Sequence, residues 1–228
     1  MRQLSFTVLF SLAAFVQANA ADPAVPTEVA PVVFDWGGGY VGAQAGYGWG
    51  KNDITFPIAP GSSVLLEPKG FVGGLYAGYN YLLQNNLLIG IEADVGFGGQ
   101  KDGSNILVGG VPLASEFWES EVKVNGALRA RFGFAADRTL FYATGGLALA
   151  QIETTRTRPG IDVTQDSSLF TGWTAGFGIE HAFSDHWTAR LDYRYQDLGS
   201  KDVTAQPATT TISDFSSHDI RIGIAYKF

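Results

Sequence analysis

Five carboxylates and seven cations recur at even spacing along this chain: Glu92 and Asp94; Lys123, Arg129 and Arg131; Glu180; Arg190, Asp192 and Arg194; Asp219 and Arg221; and Lys227. Two carboxylates two residues apart, such as Glu92 and Asp94, are the residue types of a general acid and its base. Arginines on the same face would keep both ionised, which removes the neutral acid that such chemistry needs. Ser184, Asp185 and His186 contain the residue types of a nucleophilic triad, but adjacent residues in one turn cannot form one. His181, His186 and His218 are scattered, with no pair at ligand spacing on one strand face. Gly46-Tyr47-Gly48-Trp49-Gly50-Lys51 has the look of a phosphate loop, yet Ala45 stands where the first Gly is required and Asn52 where Ser or Thr is required. No catalytic residue, cofactor-binding residue, metal ligand or cofactor is expected. Two readings of the charges remain: a functional site inside a membrane, or an ion-pair network that fills a narrow interior.

The segments that carry these charges alternate. In residues 218–228, Ile220, Ile222, Ile224, Tyr226 and Phe228 occupy one parity, and Asp219, Arg221, Gly223, Ala225 and Lys227 the other. A β-strand sends alternate side chains to opposite faces, so one face is apolar and the other polar or small. The same pattern recurs in residues 40–49, 71–82, 87–97, 122–134, 140–150, 170–183 and 187–196. In residues 87–97, for example, Ile89, Ile91, Ala93, Val95 and Phe97 oppose Gly90, Glu92, Asp94 and Gly96; in 122–134, Val122, Val124, Leu128, Ala130, Phe132 and Phe134 oppose Lys123, Asn125, Arg129, Arg131 and Gly133. Eight strands of about ten residues make a small all-β, antiparallel transmembrane barrel of the outer-membrane type.

Connections alternate too. Residues 84–86, 136–138 and 184–186 form tight turns, whereas 51–68, 98–120, 151–168 and 198–216 are long. Short periplasmic turns and long extracellular loops are the barrel's habit, which predicts periplasmic termini. Aromatics gather at the strand ends: Trp36, Tyr81, Phe134, Phe141, Phe183, Trp187 and Phe228 near the short turns, and Trp49, Phe71, Phe97, Trp118, Phe170, Trp173 and Tyr195 near the long connections. These read as two interfacial girdles. Counting outward from the 184–186 turn sets Glu180 opposite Arg190, and Glu92 lies at the depth of Arg129, provided no bulge intervenes. Residues 54–66 and 106–113 are apolar for exposed loops; they read as strand extensions packing above the membrane or as partner surfaces.

Residues 1–20 carry Arg2, an apolar core from Leu4 to Val16 and a small-residue site Ala18-Asn19-Ala20, a signal peptide cleaved between Ala20 and Ala21. Removing 20 of 228 residues leaves 208, with 14 basic against 22 acidic side chains, a formal charge of −8 that argues against nucleic acid as a partner. Pro23, Pro26 and Pro31 mark residues 21–35 as an extended periplasmic linker before a barrel domain at 36–228. The chain has no Cys, hence no disulfide framework. Its 29 glycines and 13% aromatics suit closely packed strands rather than helices.

Trp36-Gly37-Gly38-Gly39-Tyr40-Val41-Gly42, Gly73-Gly74-Leu75-Tyr76-Ala77-Gly78-Tyr79-Asn80, Gly90-Ile91-Glu92-Ala93-Asp94, Arg129-Ala130-Arg131-Phe132-Gly133, Tyr142-Ala143-Thr144-Gly145-Gly146-Leu147-Ala148, Gly172-Trp173-Thr174-Ala175-Gly176, Tyr193-Arg194-Tyr195-Gln196-Asp197-Leu198-Gly199 and the final Tyr226-Lys227-Phe228 resemble, in that order, the small alphaproteobacterial outer-membrane immunogenic or porin-family proteins. The resemblance covers all eight strands and none of the loops. It implies an OmpA-like eight-stranded barrel without a following peptidoglycan-binding domain, and a C-terminal assembly signal at Tyr226 and Phe228 read by the barrel assembly machinery. The expected role is envelope architecture and surface exposure without catalysis, in contact with outer-membrane lipids and as a monomer. A small-solute porin with narrow, intermittent conductance is the alternative. The lumen network expected from parity comprises Glu92, Asp94, Arg129, Arg131, Glu180, Arg190, Asp192, Arg194 and Arg221.

Overall fold

The computed structural model describes residues 34–55, 62–108, 111–206 and 209–228. The expected signal peptide, and all of the expected linker except Phe34 and Asp35, lie outside the described residues. Every alternating run is a strand: β1 (Gly38–Thr55), β2 (Ser62–Leu66), β3 (Lys69–Leu82), β4 (Leu87–Val108), β5 (Val111–Ala136), β6 (Thr139–Arg158), β7 (Asp162–Ala182), β8 (Trp187–Gln206) and β9 (Thr209–Lys227). Neighbours are antiparallel, and β1 pairs with β9, so the sheet closes on itself. β2 is the upward continuation of β3. It pairs β1 through Asn52↔Leu66 and β4 through Ser63↔Leu107, while Glu67 and Pro68 interrupt the column. Pro cannot donate to a ladder, which is why the break falls there. Among the described residues, nine strands therefore occupy eight columns.

The register fixes the barrel's geometry. A lateral row starting at Tyr40 runs through Gly78, Glu92, Arg129, Gly146, Thr174, Gln196 and Ser217, and returns to β1 at Gly50, ten residues further on. With about 3.3 Å per residue and about 4.8 Å between strands, that stagger over eight columns tilts the strands by about 40°. The row is composed of inward-facing residues, so it also orders the lumen into layers.

The short turns are built from residues that tolerate positive φ. Asn85 (71°) and Asn86 (61°) turn β3 into β4, and Asp137 (51°) turns β5 into β6. In the third turn the Ser184 hydroxyl accepts from the Trp187 amide at 3.1 Å.

The expected long loops are largely strand. β4 and β5 run on to Val108 and from Val111, and β6 and β7 are joined by a turn at residues 159–161. Above the ring formed by Trp49, Phe97 and Trp173 the alternation continues, with unbroken parity in β6 and β7, but exchanges its chemistry. Below it, Leu128, Phe132 and Leu147 face outward. Above it, Val122 and Ile152 turn inward with Ala148, Ala150, Phe170, Leu198 and Phe215 as one apolar cluster, and Ile54, Val64, Leu66 and Trp118 form another. Outside these clusters stand Lys101 with Glu119 (2.8 Å) and Lys123 between Glu121 (2.8 Å) and Glu153 (3.4 Å). The apolar segment expected as loop 54–66 thus packs a core through Ile54, Val64 and Leu66.

Three expected girdle aromatics are inside instead. Trp118 and Phe170 belong to the upper clusters, and Trp36 is 2% exposed, its indole donating to the Asp137 carbonyl at 3.0 Å. Trp36 joins Phe34, Leu88, Ala135, Leu140, Tyr142 and Ala182 in an apolar plug across the short-turn mouth. Phe34 therefore packs with the barrel although it falls in the stretch expected as linker. A register shift between Val122 and Val124 swaps the expected sides of Val122 and Lys123, because a bulge adds one residue and reverses parity.

Candidate functional site: the lumen network

Between the plug and the upper clusters, the inward faces bring five carboxylates and five arginines together: Glu92, Asp94, Glu180, Asp192 and Asp219 with Arg129, Arg131, Arg190, Arg194 and Arg221, all buried. Ionised groups out of water are costly unless paired and hydrogen-bonded. Here they sum to zero, and each carboxylate meets at least one guanidinium.

Glu92 is the hub. It accepts from Arg190 Nη1 at 2.6 Å, from the Tyr40 hydroxyl at 2.8 Å and from Arg129 Nη2. One layer up, Asp94 takes both Nη atoms of Arg194 at 3.0 and 3.2 Å, with Arg129 at 3.4 Å and Arg221 at 3.8 Å. The two-pronged contact suits the planar fork of arginine. Asp219 accepts from Arg221 Nη2 at 2.6 Å and from Gln100 and Gln196 at 3.4 and 3.5 Å. Toward the plug, Glu180 accepts from Arg131 Nη2 and from Thr188 Oγ1 at 2.6 Å. Asp192 lies 2.8 Å from Arg190 Nε and accepts from the Tyr142 hydroxyl.

Aromatic rings complete the cage. Arg131 lies 3.8 Å from the Tyr142 ring centre and 5.6 Å from that of Tyr40, and Arg190 lies 3.4 Å from that of Tyr76. Desolvated cation–π contacts of this kind contribute about 2 kcal/mol. Glycines make the room: a Cβ on Gly42 would overlap the Tyr76 ring, and one on Gly78 the Tyr40 ring.

Glu92 and Arg129 are Cα partners and ion-paired, as the depth count expects. Glu180 and Arg190 are also Cα partners, yet their side chains bond elsewhere, Glu180 to Arg131 and Arg190 to Glu92 and to Gln44 at 2.8 Å. Long arginines reach across a narrow lumen, so depth predicts partners better than adjacency does. The histidines stay apart: His181 lies against Thr139 (3.1 Å), His186 stacks on Tyr226, and His218 meets Tyr193 (2.7 Å).

An antiparallel closed sheet with a charged lumen and an apolar exterior is the form of a membrane barrel. The family model described as "Outer membrane protein beta-barrel domain" matches residues 6–228. The chain belongs to that family. Among the relatives of this outer-membrane barrel, the 31 kDa outer-membrane immunogenic protein of Brucella melitensis is 33% identical over 244 residues, covering 97% of this chain and 98% of the relative. The 25 kDa outer-membrane immunogenic protein of Brucella abortus is 34% identical, covering 96% and 92%. Among solved structures, the outer membrane protein OprG of Pseudomonas aeruginosa superposes with a TM-score of 0.50 over 86% of this chain and 99% of that one, at 15% identity, a likeness of fold alone.

The neutral members of this barrel's network were less visible in the sequence than its charges. Tyr40, Gln44, Tyr76, Tyr142, Gln100 and Thr188 supply hydrogen bonds or rings to the ion pairs. Their signal was parity: each stands on the same face of its strand as a charge or a glycine.

Proposed function

We propose that this outer-membrane barrel is an architectural, surface-exposed component of the envelope, without catalysis and without a standing aqueous channel. The observation that carries the reading is the self-neutralising lumen, five carboxylates against five arginines, with the Phe34–Trp36–Leu140 plug beneath it and the Phe170–Leu198–Phe215 cluster above. Every lumen carboxylate is engaged by arginine, which leaves none as a neutral acid or a free base. An eight-column barrel has little interior beyond its own side chains.

The orientation we infer puts the short turns and both termini in the periplasm and the extended strands outside. The chain reaches the membrane after cleavage between Ala20 and Ala21 and is inserted through its C-terminal strand, with Tyr226 and Phe228 as the assembly signal. Phe228 is 73% exposed, and its amide donates to the Gly39 carbonyl at 3.0 Å, so its ring is presented at the seam that closes the barrel. The barrel sits as a monomer among outer-membrane lipids. An intact mass that retains Met1 would refute the cleavage, and protease shaving of whole cells that leaves the turn at residues 159–161 uncut would refute the orientation.

Planar-bilayer recording of refolded monomers tests the closed lumen. Silent bilayers, or brief small events altered by substituting Arg129, Arg131 or Arg194, are the expected result. Steady conductance proportional to salt would overturn it in favour of a small-solute porin.

A further inference from the structure

The two ends of the lumen are closed by different kinds of chain. At the upper end every ring and aliphatic side chain of the seal belongs to the sheet: Val122, Ile152, Phe170, Leu198 and Phe215 stand on β5 to β9 in turn. At the short-turn end two of the rings come from outside it. The ladder of β1 begins at Gly38, and Phe34 and Trp36 precede it. They cross the mouth from β1 to the opposite wall, where the Trp36 indole donates to the carbonyl of Asp137 in the β5–β6 turn at 3.0 Å. Among the described residues that is the single hydrogen bond tying residues 34–36 to the barrel. The rest of the attachment is apolar: the two rings meet edge to face at 4.8 Å and bury against Leu88, Ala135, Leu140 and Ala182.

Between these rings and the ladder lies a run of three glycines, Gly37-Gly38-Gly39. Gly38 has φ 112°, a conformation that glycine adopts freely and other residues rarely. The root is fixed, because the Gly39 carbonyl accepts from the Phe228 amide at 3.0 Å at the closing seam. A fixed root, a few residues that absorb a change of φ and ψ, and a segment beyond them outside the ladder are the parts of a hinge. What holds the segment down is burial of its rings at a mouth that opens to water. Tyr142 links it to the charges behind. The Tyr142 ring belongs to the plug, its hydroxyl donates to Asp192, and Arg131, which donates to Glu180, lies 3.8 Å from its ring centre. Water admitted here reaches Tyr142 first and then these ion pairs, whose attraction it weakens.

We infer that Phe34-Asp35-Trp36 is a hinged strap that shuts the short-turn mouth, so that water enters the lower lumen under the control of the segment before β1. Residues 21–33 run directly into Phe34, and tension on that stretch acts on the strap before it acts on any ladder bond. The upper seal has no such handle, since its side chains stand on strands paired on both flanks. The inference deepens the closed-lumen reading and rests on it, by assigning the lower seal to residues that the barrel does not itself supply. The two can still fail separately. The arginine and carboxylate layers stand above the strap, so the lumen stays non-conducting when the strap alone is lifted.

The chain has no cysteine, which allows a single reporter thiol. Ala182 is buried in the plug, and Asp185 is exposed in the adjacent turn. The full refolded chain in lipid nanodiscs, carrying Ala182→Cys, is treated with a water-soluble maleimide, and Asp185→Cys sets the rate for an open thiol. Thiol reactivity follows exposure, so the Ala182→Cys thiol should react far more slowly than that reference. Adding Phe34→Ser and Trp36→Ser should speed it by about tenfold or more, and Gly38→Val, which strains the docked hinge and leaves both rings in place, by a smaller factor. If the double variant does not fold, Phe34→Ser alone, which keeps the Trp36 hydrogen bond, decides. Rates unchanged by loss of the rings would overturn the inference, because the barrel would then seal its own mouth. A rate indifferent to Gly38→Val would overturn the hinge. Steady conductance of the wild-type chain with slow labelling would refute the closed lumen and leave the strap standing.

Discussion

The barrel below Trp173 and the sheet above it use the same alternation to opposite ends. Below, apolar side chains such as Leu128 and Leu147 point out and the arginines point in; above, Lys101, Glu121 and Glu153 point out and Val122, Ile152 and Trp118 point in. The solvent makes the difference. Where hydrocarbon surrounds the sheet, burial of apolar area provides no inward drive, and the interior is organised by hydrogen bonds and charge. Where water surrounds it, the hydrophobic effect returns and the interior becomes an ordinary core. A single chain thus records the position of the membrane surface in the residue at which its inside and outside exchange character.

The largest test of this contrast is the hub of the lower region. Glu92→Ala removes the acceptor shared by Arg129, Arg190 and Tyr40 and leaves buried donors unfilled, and should cost about 3–5 kcal/mol in urea unfolding of the refolded protein. A cost under about 1 kcal/mol would mean that water solvates the lumen and that the network is no dry core.

Next in size is a pair of matched substitutions on the outer face of β6. Ala143 faces outward in the middle of the apolar band, paired with Phe132 and Phe177, so Ala143→Arg should cost about 2–4 kcal/mol in a bilayer. Gln151, exposed on the same face and above the ring, should accept arginine within about 0.5 kcal/mol. Equal costs would erase the proposed boundary.

Glu180 sharpens the picture of the lumen itself. A double-mutant cycle of Glu180→Ala with Arg131→Ala should show a coupling of about 1–3 kcal/mol, and the cycle with Arg190→Ala a smaller one. The reverse ranking would restore the neighbouring-strand pairing read from the sequence.

The smallest effect lies at the top of the upper region. The Arg158 guanidinium hydrogen-bonds Asp162 and holds its carboxyl below the usual carboxylate range. A carboxyl lowered on folding stabilises above its unfolded pKa of about 3.9, and that contribution is lost as pH falls through the lower folded value. Acidification should therefore lower the protection factors of amides at the β6–β7 tip, taken relative to the slower intrinsic exchange at low pH, while the lumen layers stay protected. Uniform loss of protection would show that tip and barrel open together.

The sequence was most legible where both faces obeyed one rule. From Tyr40 to Trp49 and from Leu87 to Phe97, the apolar-out alternation gave the strands, and parity alone collected the lumen charges. It misled where the rule inverted. Residues 98–120 and 151–168 read as loops because the polar residues had moved to the outside, and a search for an outward apolar face passes over such strands. Trp36, Trp118 and Phe170 look like girdle residues by type, and their inward placement depends on what each packs against across the barrel. The bulge at Val122 leaves no trace in composition. The pairing of Glu180 with Arg131 depends on the length of arginine and the width of the lumen, neither of which a strand-by-strand count contains.

Because β1 pairs with β9, the first strand must wait for the last. Glu92 meets Arg129 and Arg190 across 37 and 98 residues of chain, and Asp94 meets Arg194 across 100. In a sheet that is still open these groups face water, where their attraction is weak. It strengthens only as closure expels that water, so the final pairing of β1 with β9 and the locking of the charges are one event. Half-closed forms gain neither the completed ladder nor the ion pairs, and the chain should pass between open and closed in a single cooperative step.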